Sequence, residues 1–464
     1  MTLHQISSVE TLALRVQLPA FAGTTLPDDY AELLAEGLGG VCYFGSNTAD
    51  GLWSVVELSA AIKAANPRAV IAVDEEGGDV TRLHALDGSP VLGPAALGAA
   101  DDLALTRDTG RAIGAEMAAV GINLDFGPVA DVNSNPDNPV IGTRSFGTEP
   151  DPAAAHVAAW VTGLQDAGVA ACAKHFPGHG DTAQDSHLEL PTVEADLETL
   201  FARELVTFAA AVEVGIASVM TSHIVVPALD PELPGTLSAP VLGLLRDRLG
   251  YDGVIVSDAL DMAGASAGRG IPEAAVLSLA AGADLLCIGP EKPAALVRET
   301  QAAIVAAVHE GRLSRERLEA AVARIDRMLD ELAEPAAYDV DADAQLEGAR
   351  RALIIEGDVP DLTDAIVVSV ATAANIAIGE VPWGLEPDLV IAPGEPLPSN
   401  LPVILQVRDA HRRPEIGLDG AALVVEWGWP GPYAGPAPRV CTRGYSRPGA
   451  AAVTELLRKA GWKR

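Results

Sequence analysis

An alternation of period runs through the first two thirds of this chain, and it leaves few folds open. Eight short apolar runs, at residues 11–16, 40–44, 69–73, 122–126, 169–173, 217–221, 253–257 and 283–288, are rich in β-branched side chains and almost continuous in apolarity. That pattern predicts strands buried on both faces, as in a parallel sheet. Between them lie amphipathic stretches such as 103–119, 151–167 and 197–214, each long enough for a crossover helix. Eight strand–helix units predict an α/β fold, a (β/α)8 TIM-type barrel, with an open doubly wound sheet as the competing arrangement.

The chain of 464 residues is long enough for more than this barrel. A helical segment over 293–334 is followed by an acidic, aperiodic stretch that begins at Pro335. The expected division is a catalytic barrel over 1–334, a linker over 335–350 and a small C-terminal α/β domain over 351–464. The last part has its own apolar runs at 365–370, 389–392, 402–407 and 422–425 and a closing helical stretch at 449–460. It carries no chemical motif, so docking or structural support is its default role.

Charge narrows the partners. Lys and Arg number 31 against 64 Asp and Glu, a net charge of −33. Such a surface repels phosphate backbones and anionic lipid, so neither nucleic acid nor membrane is an expected partner. No apolar run reaches the roughly 18–20 residues that span a bilayer. The first ten residues show no basic segment leading into an apolar one, so a cytoplasmic address is expected. Cys42, Cys172, Cys287 and Cys441 lie far apart with no CxxC pair, which argues against a zinc ribbon or thiol redox motif. Oligomeric state leaves no trace in the sequence.

Polar residues crowd the C-terminal ends of the apolar runs: Asp74, Asp125, Lys174 with His175, Ser222 with His223, and Ser257 with Asp258. In a barrel those ends form one rim, where the chemistry is done. The densest stretch runs from Lys174 to His187, where Pro177, Gly178 and Gly180 break any helix and leave the side chains to be aimed by a loop. His175 and His179 have helical metal-site spacing, but the breakers between them remove the helix, so no metal and no cofactor is expected. Asp185 precedes His187 by two residues and can hold its ring, forming a dyad in which the imidazole donates and accepts protons near neutrality. A Ser-His-Asp acyl-transfer reading with a nucleophilic serine is the weaker alternative for the same pair. Asp258, at the end of a buried run, reads either as a nucleophile or as the cap of the next helix.

At these residues the chain resembles glycoside hydrolase family 3, in its β-N-acetylglucosaminidase branch. The matching pieces, in order, are Asp74-Glu-Glu-Gly-Gly with Arg82, Leu124-Asp-Phe-Gly-Pro-Val, Asn138-Pro-Val-Ile-Gly-Thr-Arg-Ser-Phe, Lys174-His-Phe-Pro-Gly-His-Gly with Asp185-Ser-His187, Val219-Met-Thr-Ser-His-Ile, and Ser257-Asp-Ala-Leu-Asp-Met. The resemblance implies a (β/α)8-type barrel and a retaining hydrolase that releases terminal β-linked N-acetylglucosamine from a small carbohydrate substrate. It implies Asp258 as the nucleophile, His187 held by Asp185 as acid/base, and Asp74, Arg82, Arg144, Lys174 and His175 as the grip on the terminal sugar, with His223 beside the pocket. Asp79 departs from the family pattern, which commonly has Arg there. Two other reactions stay open. An imidazole tolerates a neighbouring phosphate better than a carboxylate does, so phosphorolysis to a sugar 1-phosphate is possible chemistry, and a β-glucosidase would use the same machinery. A non-catalytic sugar-binding protein is the reading from another class. By analogy with the branch, recycling of cell-wall fragments is the expected setting.

Overall fold

The computed structural model describes residues 8–182, 190–372, 375, 377–379 and 381–464. Eight parallel strands form the first unit: β1 (Gln17–Pro19), β2 (Gly40–Cys42), β3 (Val70–Val73), β4 (Leu124–Asp125), β5 (Ala170–Phe176), β6 (Ser218–Thr221), β7 (Val254–Ser257) and β8 (Leu285–Gly289). Their order, β1-β8-β7-β6-β5-β4-β3-β2, runs round a ring that lacks only a β1–β2 ladder, so the fold is a TIM-type barrel. Every one of these strand residues is buried, which is why the runs read as unbroken apolarity.

The first run is a correction. Residues 11–16, expected as a strand, lie largely in the helix Val9–Arg15, and β1 follows it. Ser8 caps that helix by accepting from the Thr11 amide at 3.2 Å, and Glu10 sits in its first turn. A short apolar run fits a buried helix as well as a strand, and here the cap decides. The segment 293–334 is two helices, Ala294–His309 and Arg315–Asp330, parted where Gly311 adopts φ +75°.

The stretch expected as a linker is extended only at its start, because Ala342–Ala352 is helical. Asp341 caps it through the Ala344 amide at 2.9 Å, and Gln345, Gly348, Ala349 and Ala352 form its buried face. Gln345 bolts this helix to the barrel, accepting from Leu92 N at 2.8 Å and donating to Thr109 Oγ1 at 2.7 Å. A side chain at Gly348 would come within 2.4 Å of Leu105, so glycine permits the close approach.

The second unit is a six-stranded sheet: β9 (Ile354–Glu356), β10 (Ile366–Val370), β11 (Leu389–Ile391), β12 (Val403–Val407), β13 (Leu423–Glu426) and β14 (Arg439–Cys441), in the order β11-β10-β12-β13-β14-β9. It is parallel except for β9, which joins β14 antiparallel, and the helix Arg447–Lys459 closes the chain. Among the described residues, no helix is long and apolar enough to cross a membrane.

Asp79, the departure from the family pattern, joins the two units. It is buried and accepts from Thr143 Oγ1 (2.7 Å), from the Tyr445 amide (3.0 Å) and from Arg408 (3.4 Å). Burial pushes its carboxyl above the usual range, with Arg408 opposing. Arg412 and Asn375 add donors to the carbonyls of Asn138 and Pro139.

Candidate active site

A cavity of about 680 Å³ opens at the C-terminal ends of the barrel strands. It is lined by Asp74, Arg82, Arg144, Lys174, His175 and Asp258, six of the residues expected at the site. The barrel delivers them there by its own geometry, since parallel strands bring all eight C-terminal ends to one rim.

Four side chains form an alternating charge array. Lys174 Nζ lies 2.6 Å from Asp74 Oδ1 and 2.7 Å from Glu76 Oε1. Arg144, on the turn Gly142–Arg144, grips Glu76 with two bonds, Nη2–Oε1 at 2.7 Å and Nε–Oε2 at 2.9 Å. Burial alone would raise the Glu76 carboxyl, but Arg144 and Lys174 outweigh it and hold the group well below the usual carboxylate range. The same contacts raise Lys174 and Arg144 against the effect of burial. Glu76, Lys174 and Arg144 are therefore charged near neutrality, and Asp74, whose side chain is 20% exposed against 1% for Glu76, is the carboxylate that faces the cavity. Behind it, Asp125 accepts from the Glu75 amide at 3.0 Å. Burial raises both carboxyls.

Asp131, in the loop after β4, aims the histidines. Its Oδ2 is 2.7 Å from His175 Nδ1, and its Oδ1 accepts from the amides of His175 (3.1 Å) and His179 (2.7 Å). The interaction with His175, then that with His179, outweighs burial and lowers the Asp131 carboxyl. His179 also lines the cavity, its Nδ1 2.8 Å from Thr182 Oγ1, and burial pushes it down to about 4, so the ring is neutral at pH 7. The Lys174–His175 and Phe176–Pro177 peptides are cis.

Asp258 stands at the head of β7. Its amide donates to Thr221 Oγ1 on β6 at 3.2 Å, and its Oδ1 accepts from the Ala259 amide at 2.7 Å. The next helix starts after Met262, so the capping alternative for Asp258 does not hold. His223 requires a correction. It is fully buried and is not among the described residues that line the cavity. Its Nε2 donates to the Ala259 carbonyl (2.9 Å), and its Nδ1 meets Thr236 Oγ1 (2.8 Å), which lies 2.7 Å from Thr221 Oγ1. The histidine thus braces the Asp258 turn from behind.

Arg82 lines the cavity, but its guanidinium donates to the carbonyls of Ala377 (2.8 Å) and Ile378 (3.1 Å). The C-terminal unit therefore supplies part of the wall, Ala377 included. Asp185 and His187 lie outside the described residues. Glu76, Asp131 and His179 were missed as site residues, although Glu76 and His179 fall inside the quoted motifs.

The family model for the glycosyl hydrolase family 3 N-terminal domain matches residues 5–328. The chain belongs to glycosyl hydrolase family 3. A β-hexosaminidase A from Pseudoalteromonas piscicida is 35% identical over 344 residues, 68% of this chain and 57% of the relative, so the match spans little more than half of that protein. A β-hexosaminidase from Thiobacillus denitrificans is 39% identical over 284 residues, 58% of this chain and 77% of the relative. A solved family 3 β-N-acetylglucosaminidase from Paenibacillus sp. str. FPU-7 superposes at a TM-score of 0.86 with 30% identity, covering 98% of this chain and 97% of that one. This family 3 chain therefore shares its two-unit form with the solved structure.

Proposed function

We propose that this chain is a retaining β-N-acetylhexosaminidase that removes a terminal N-acetylglucosamine. Asp258 attacks the anomeric carbon and forms a glycosyl ester while His187, oriented by Asp185, protonates the departing oxygen. Water then attacks the same anomeric carbon, His187 takes its proton, and the bond from that carbon to Asp258 breaks to release the carboxylate. Asp74, Arg144, Lys174 and His175 grip the sugar's hydroxyls, each charged hydrogen bond being worth roughly 1.5–3 kcal/mol.

One observation carries the reading: Asp258 is held at the head of a buried strand in the same cavity as the charge array. Names of the family relatives support the hexosaminide. The roles of Asp185 and His187 rest on the family resemblance. Lys174 and Arg144 are already engaged by carboxylates and Arg82 by carbonyls, which supports water over phosphate as the acceptor.

Chromogenic β-N-acetylglucosaminide and β-glucoside, each with and without phosphate, test it. The expected result is preferential release of N-acetylglucosamine, independent of phosphate, and loss of turnover by several powers of ten in Asp258→Asn with inhibitor binding kept. Phosphate-dependent formation of sugar 1-phosphate, or an active Asp258→Asn, would overturn it.

A further inference from the structure

Glu76, Arg144, Lys174, His175 and His179 are all buried, so the charged grip lies at the bottom of the cavity. Toward solvent the wall carries Phe44, Ala259, Met262, Ala263, Ala267 and Pro290, half-buried or exposed, beside the half-buried Asp74, Arg82, Asp258, Asp261 and Ser266. The first six come from the segments after β2, β7 and β8; β2 adjoins β3 of the charge array, while β7 and β8 lie further round the barrel. An enzyme that removes terminal sugars holds that sugar at the bottom and the rest of its substrate at the mouth, and at about 680 Å³ the cavity has room for both.

Among the described residues, the charged groups that line this mouth have partners. Asp261 is paired with Lys292 at 2.8 Å and packs on Gly289, where a Cβ would fall 2.2 Å from its Oδ1. The cations lining the cavity among the described residues, Arg82, Arg144 and Lys174, all have partners. An anionic group at the mouth would have to displace one of these pairs, whereas an apolar group meets carbon and thioether surface directly.

We infer that the substrate's second part, the group released from N-acetylglucosamine, is an uncharged apolar aglycone held by Phe44, Met262, Ala263, Ala267 and Pro290. The inference rests on the proposed hydrolase reading and names its substrate class. It makes a carboxylate-bearing cell-wall disaccharide the competing substrate.

Methyl, butyl and octyl β-N-acetylglucosaminides test this, because they share one type of leaving group and differ only in apolar length. The expected result is a KM that falls with chain length, by up to about fourfold for each methylene the mouth covers, at nearly constant kcat. Phe44→Ser and Met262→Asn should flatten the series, the octyl glycoside losing most of its KM advantage over the methyl one. Calorimetry with the matching thioglycosides, which resist cleavage, reads the same series without turnover. An inactive protein that still ranks the thioglycosides by length would therefore overturn the hydrolase reading and uphold the apolar mouth. A flat series in both measurements would overturn the inference, as would a tenfold preference for an N-acetylglucosaminyl disaccharide whose second sugar carries a carboxylate.

Discussion

Glu76 and Asp74 share Lys174 yet should fail in opposite ways when neutralised. Glu76 is 1% exposed and, among the described residues, is the one carboxylate bonded to Arg144 Nε and Nη2, besides closing on Lys174. In Glu76→Gln two buried cations keep one carboxylate, Asp74, between them. Removing one partner from a buried pair costs about 3–5 kcal/mol. Gln retains an acceptor oxygen, so the lower end of that range applies. Asp74 is 20% exposed and holds a single bond to Lys174. Asp74→Asn should therefore cost about 1 kcal/mol of stability or less. Its loss appears in catalysis, roughly ten- to hundredfold in kcat/KM for one charged hydrogen bond to the sugar. Urea unfolding and steady-state kinetics on both variants read the two quantities. The Glu76 carboxyl is depressed in the folded state, so its contribution is fully present above the unfolded value near 4.5 and fades as pH falls toward the folded one. The Glu76→Gln deficit should thus be constant from pH 6 to 8. A deficit under about 1 kcal/mol, or equal stability losses in the two variants, would refute this division between a supporting and a sugar-facing carboxylate.

His223→Ala should lower kcat with KM little changed, because the ring supports Asp258's turn from behind; a raised KM at constant kcat would restore the direct sugar contact first expected. Asp79→Ala leaves Arg408 and the Tyr445 amide without their acceptor and should cost about 3–5 kcal/mol between the units. Calorimetry should then show two separated unfolding transitions, and a single transition at the parent temperature would count against the anchor. Burial pushes Glu204 up to about 7, with Arg203 opposing, so the group's contribution is present below about 4.5 and lost as pH rises through 7. Glu204→Gln should therefore gain up to about 3 kcal/mol relative to the parent between pH 5 and pH 8, and parallel pH profiles would sink that assignment.

The rim was legible in the sequence because strand ends are local: Asp74, Lys174, His175 and Asp258 each follow an apolar run, and a parallel barrel turns that position into a shared face. What was not legible depends on pairings remote in the chain. Glu76 meets Arg144 across 68 residues and Asp131 meets His175 across 44, and nothing at either position marks it as a partner. His223 was expected beside the pocket from the family resemblance, but a residue just past a strand end can turn inward, and Thr236 and the Ala259 carbonyl hold it there. Helix Val9–Arg15 and strand β1 were merged because apolarity without period does not separate the two states. Strands β9 and β14 were missed because each is three residues long and carries a charged residue, β9 forming the sheet's edge and β14 pairing with it.

The bracing of Asp258 suits the proposed reaction in one specific way. A nucleophilic carboxylate must pass from anion to ester and back, so any hydrogen bond that depends on its charge changes strength during turnover. The contacts running from Thr221 through Thr236 to His223 grip the turn at the Asp258 amide and the Ala259 carbonyl, backbone groups whose charge does not change. The turn can stay in place while the carboxylate reacts, and the sugar is held by the separate array around Lys174. Position and reactivity are thereby carried by different atoms, which is the arrangement that preorganisation at a covalent centre requires.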